Sequence, residues 1–133
     1  MARLWGRRGF LAVSWLFVAG LVGQIYLAGM GVFGGDFANH REFGFIVSSV
    51  PILMVLLGLI GRVGRLDIGL SALLFVQGML QSVLVAQRET SPAIAALHPV
   101  NGVSMLIIGI YLAIDAWRIV RADRAAQPEG APS

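Results

Sequence analysis

The chain has 133 residues, of which 57% are hydrophobic and 13% charged, and its mean hydropathy is +0.80. Soluble domains carry about 25% charge and about 45–50% apolar residues, and small domains have too little interior to hide such an excess, so part of this protein's solvent is lipid. The absence of cysteine excludes thiol catalysis, Cys-ligated zinc, iron–sulfur clusters and covalently attached c-type haem.

Crossing about 30 Å of hydrocarbon takes about 20 mostly apolar residues in a helix. Four runs meet that length, at about residues 9–33, 43–60, 68–86 and 100–120. The first is too long for a signal-peptide core, which runs to about 7–15 residues, and is expected to be a retained span. The link Gly34–Glu42 (GGDFANHRE) carries turn formers, and Asn39 is placed to cap the second span. Pro51 lies mid-span and predicts a kink. The links at Gly61–Asp67 and Gln87–Pro99 are polar, and residues 121–133 read as a polar tail. The expected fold is all-α: an integral membrane four-helix bundle of two tandem hairpins, forming one domain over residues 1–120.

There is no lysine, and the arginines are unevenly placed. Arg3, Arg7 and Arg8 precede the first span, Arg62 and Arg65 join the second to the third, and Arg118, Arg121 and Arg124 end the fourth. Only Arg41 and Arg88 fall on the other side, each followed by a glutamate. The positive-inside rule predicts cytoplasmic termini. Arginine without lysine, with abundant Ala and Gly, suggests a GC-rich bacterial genome, and the expected location is the bacterial cytoplasmic membrane. The net charge of +3 needs no nucleic-acid partner, because the basic residues sit where anionic lipid heads attract them. Asp115 and Arg118 are spaced to pair on one helix face.

The two hairpins share a pattern. His40 with Gly44, and His98 with Gly102, form H-x-x-x-G at the entrance of spans two and four, and the chain has just two histidines. Gln24 stands 16 residues before His40, and Gln81 stands 17 before His98, with Gln77 a turn earlier. Two hairpins of equal orientation make a parallel repeat about an axis along the membrane normal, which would bring His40 and His98 together at the outer end. Small and polar residues form stripes expected to face inward. They are Gly20, Gln24 and Gly31 in span one; Gly44, Ser48, Pro51, Val55, Gly58 and Arg62 in span two; Gln77 and Gln81 in span three; and Asn101, Ser104, Ile108, Tyr111, Asp115 and Arg118 in span four.

Two imidazoles on facing helices suit the iron of a b-type haem. In that arrangement His40 and His98 ligate the iron, Gly44 and Gly102 clear room for the flat ring, Arg41 and Arg88 neutralise propionates, and Gln24, Gln81 and Asn101 support the ligands by hydrogen bonds. The common hydrolase, phosphate-loop and dinucleotide motifs are missing, so the sequence leans away from an enzyme. The competing expectation is a cofactor-free accessory subunit, packing on a larger membrane complex or on a second copy through its Gly and Ser stripes.

The segments Q-I-Y-L-A-G-M-G-V-F-G-G (Gln24–Gly35), N-H-R-E-F-G (Asn39–Gly44) and L-H-P-V-N-G (Leu97–Gly102) resemble a small bacterial four-span family of unknown function, over about residues 12–118. That resemblance implies the topology and no activity. More distantly, H-R-x-x-G at the opening of a span is similar to one half of haem A synthase and related b-type haem membrane proteins. It implies axial ligation by His40 and His98. Haem A synthase is about twice as long and has further histidines and a carboxylate for its chemistry, so the likeness extends to haem binding and not to haem hydroxylation.

Overall fold

The computed structural model describes residues 1–126, and these are almost wholly helical. Helix α1 covers Ala2–Gly34, α2 Ala38–Gly61, α3 Arg65–Ala86, α4 Pro92–Ala95 and α5 Leu97–Ala125. Four helices are long and apolar enough to cross a membrane: α1, α2, α3, and α5 together with α4. Successive long helices run antiparallel. α1 packs on α2 and α5, and α3 packs on the same two, so the cross-section is a square with α1 opposite α3. One end of the bundle holds both described termini and the α2–α3 turn; the other holds the two longer links and both histidines.

The helices overrun the expected spans. α1 takes in Arg3, Arg7 and Arg8, and α2 begins early enough to place His40 in its first turn. His98 likewise lies in the first turn of α5. Residues 121–125, expected in the tail, continue α5, while residues 127–133 lie outside the described residues. Asn39 does not cap α2. The carboxylate of Asp36 accepts the Ala38 N–H at 2.8 Å, placing Asn39 inside the helix. Pro51 sits fully buried within an uninterrupted α2.

The repeat extends into the inward surface. Buried positions of α1 and α3 correspond 57 residues apart: Phe10 with Asp67, Ser14 with Ser71, Phe17 with Leu74, Leu21 with Gly78. Those of α2 and α5 correspond 58 apart: Val47 with Met105, Pro51 with Gly109, Met54 with Leu112, Gly58 with Ala116. The spacing of alternating threes and fours is that of one helix stripe turned to the bundle axis. The two serines act alike as well. Ser14 Oγ donates to the Phe10 carbonyl and Ser71 Oγ to the Asp67 carbonyl, each at 2.7 Å, so neither hydroxyl is left unpaired in the interior.

In α2 the expected Pro51 and Gly58 are buried, with Val47, Met54 and Gly61 in place of the other expected members; in α5 the inward stripe is turned by about one residue from the expected polar one. Large apolar side chains fill the axis (Phe17, Met54, Leu74, Met105, Leu112), because dispersion contacts accumulate where packing is densest. The amide side chains of α3 and α5 lie at the flanks, where they bond to a neighbouring helix. Gln77 Nε2 donates to Ser104 Oγ at 3.1 Å, and Asn101 Nδ2 to the Gln77 carbonyl at 3.0 Å, tying α3 to α5.

At the terminal end α1 and α2 meet backbone to backbone. A Cβ on Gly6 would overlap the backbone of Gly61 and Ile60, and one on Gly61 would stand 2.8 Å from the Arg7 nitrogen. Arg7 fixes this crossing: its Nε donates to the Gly61 carbonyl at 3.0 Å, and its Nη1 pairs with Asp123 of α5. Asp115 and Arg118 approach to 4.0 Å, as their spacing suggested. Gly6→Ala should lower stability in detergent by about 1–3 kcal/mol, the usual cost of forcing atoms into a packed contact. Gly29→Ala, where a Cβ would meet nothing within 4 Å, should be neutral or slightly stabilising. Thermal unfolding followed by circular dichroism distinguishes the two.

Candidate functional site

The two histidines come together. Their ring centroids are 6.1 Å apart with the planes at 65°, and each ring is half-buried. Each is fixed by the glutamine of its own hairpin in a reciprocal clasp. Gln24 Nε2 donates to the His40 carbonyl at 3.0 Å, and His40 Nδ1 donates to the Gln24 carbonyl at 3.1 Å. In the second hairpin His98 Nδ1 lies 3.2 Å from the Gln81 carbonyl. With its amide nitrogen toward His98, Gln81 donates to that residue's carbonyl at 3.0 Å, and its oxygen accepts the Gly102 N–H at 3.3 Å.

At His40 these bonds set the tautomer. A backbone carbonyl only accepts, so in the neutral His40 ring Nδ1 carries the proton and Nε2 keeps its lone pair. The amide nitrogen of Gln81 also stands 3.1 Å from His98 Nδ1. An amide nitrogen has no lone pair to offer, just as the Gln81 carbonyl has no proton, so the contacts fix the tautomer at His40 alone. A ring anchored through Nδ1–H to a carbonyl, with Nε2 bare, is the state in which histidine serves as a metal ligand.

Glutamine amides lie beside Gly44 and Gly102, the positions expected to clear room for a flat ring. A Cβ on Gly44 would come within 2.7 Å of Gln24 Nε2, and one on Gly102 within 3.3 Å of the Gln81 amide, so each glycine admits the amide of its clasp. Arg41 and Arg88 are exposed, and Arg88 pairs with Glu89 at 3.2 Å. Asn101 bonds to α3, a turn away from the histidines. Phe37 joins the site unannounced. Its ring meets His40 edge-on at 6.2 Å and packs on Gly31, where any Cβ would collide with it. The H-x-x-x-G pattern carries no trace of Phe37, although its place three residues before His40 is one helical turn. Two buried acceptors, Gln24 Oε1 and Gln77 Oε1, have no hydrogen-bond partner among the described residues. Among those residues no group of three or more His, Asp or Glu is gathered for a metal ion, so any ligation here rests on two imidazoles.

Residues 24–88 match the model of a family of unknown function (DUF6220). The match takes in the first clasp, from Gln24 to His40, and Gln81 of the second; it stops short of His98. No curated protein and no solved structure matches the chain.

Nitrogen-15 spectra of histidine-labelled protein in bilayers above neutral pH should show the His40 ring protonated at Nδ1 and bare at Nε2. The opposite tautomer at His40 would break its clasp.

Proposed function

We propose that this chain is a small multi-pass protein of the bacterial cytoplasmic membrane, with both termini in the cytoplasm. In this reading its outer end holds one b-type haem between His40 and His98, for electron transfer or as a redox-associated subunit. The observation that carries the proposal is the pairing of two anchored imidazoles at a centroid separation of 6.1 Å. Two iron–nitrogen bonds of about 2 Å each, in line with the rings, would set imidazole centres about 6 Å apart, a span that the centroid separation matches. The macrocycle makes a further demand, since the Gln24 and Gln81 amides take the space beside Gly44 and Gly102 and must yield it or leave the ring outside them. Arg41, exposed beside His40, is the cation at hand for a propionate. Bound iron would supply one-electron chemistry; the chain's own part is to anchor both rings through Nδ1 and to hold them side by side.

One observation favours a different reading, a cofactor-free accessory subunit of a larger membrane complex or a homodimer. The clasps use each histidine fully as a hairpin fastener, through its Nδ1 and its carbonyl, with no ligand required.

The absorption spectrum of detergent-purified protein, oxidised and then dithionite-reduced, separates the two. Haem binding calls for a Soret band and sharp reduced α and β bands that disappear in His40→Ala and in His98→Ala. A flat visible spectrum from cells well supplied with haem would overturn it and leave the fastener role.

A further inference from the structure

A second constellation lies at the terminal end, far from the histidines. Between α1 and α5 is a hollow of about 290 Å³ lined by Leu11, Trp117, Val120, Arg121 and Arg124. Leu11 and Val120 give it an apolar wall. The Arg121 guanidinium lies over the Trp117 ring at 5.3 Å, a cation–π contact that holds the charge at the rim. The nearby carboxylates are engaged elsewhere, Asp123 with Arg7 and Asp115 with Arg118. Arg121 and Arg124 have no carboxylate partner among the described residues, although they stand one helical turn apart on the same side of α5.

We propose that this hollow binds an anionic phospholipid, with the phosphate between Arg121 and Arg124 and an acyl chain against Leu11 and Val120. Guanidinium groups present forked donors that match phosphate oxygens. Tryptophan favours the level of the headgroups, where one edge of its ring is wet and the other apolar. Basic hollows between membrane helices, with an apolar wall leading into the bilayer, have the form that headgroup recognition requires. An acidic peptide would match the charge and have no use for the apolar wall; inorganic phosphate shares the headgroup chemistry without the chains.

The test is native mass spectrometry of the intact chain from detergent, titrated with phosphatidylglycerol or phosphatidylcholine. The wild-type chain should retain one phosphatidylglycerol in preference to phosphatidylcholine, and an excess of inorganic phosphate should not displace it. Arg121→Gln/Arg124→Gln should weaken retention about thirtyfold, the combined worth of two cationic contacts at a membrane surface. Arg62→Gln/Arg65→Gln, which changes the same charge at the same end, should leave it within about twofold of wild type. Circular dichroism establishes that each variant keeps its helices. Equal loss in both double variants would mean diffuse surface charge, and displacement by inorganic phosphate would mean an anion site without chains. Either result, or unchanged binding in Arg121→Gln/Arg124→Gln, would overturn the proposal.

Discussion

A glutamine and a histidine reaching across each hairpin to the other's backbone carbonyl set the geometry at one end of this bundle. The clasp couples three demands. It ties the entrance of the second helix to the first, places the imidazole at a fixed height, and engages the ring through Nδ1. In a lipid surround such bonds matter because hydrocarbon offers an amide no alternative partner. Glycine one turn after each histidine is part of the same device, since a Cβ would collide with the Gln24 amide at Gly44 and press on the Gln81 amide at Gly102.

The clasp is the visible tip of a longer repetition. The two hairpins present the same succession of buried positions to the axis, down to serines that bond back to the preceding turn in both copies. The copies diverge where the bundle needs asymmetry. Phe10 fills one side at the terminal end, while its counterpart Asp67 is buried in the first turn of α3. An acidic side chain there faces the positive end of the helix dipole. Pro51 likewise matches Gly109, so one hairpin gives up a backbone donor that the other retains.

Much of this was legible in the sequence. Hydrophobic length gave four spans, and two histidines in matching places gave the repeat and their meeting. The inward faces were harder. A search for polar stripes finds residues that bond between neighbouring helices, such as Gln77, Asn101 and Ser104, and these lie beside the axis. Matching apolar positions 57 and 58 residues apart would have found the axis itself, but the paired residues differ in size and chemistry, as with Phe17 and Leu74 or Gly58 and Ala116. Gly44 and Gly102 carry a related lesson: a glycine shows that something comes close, and in this structure the group beside each is the chain's own glutamine. Long-range ties such as Arg7 with Asp123 join opposite ends of the chain and leave no local pattern.

The account turns on two hairpins placed so that their histidines meet. Because the chain has only two histidines, carbon-13 labelling of histidine alone makes every inter-residue ring contact unambiguous. Solid-state NMR of that sample in lipid bilayers, at long mixing times, should show a cross-peak between the rings of His40 and His98. Both rings resolved with intra-residue peaks and no peak between them would contradict the arrangement.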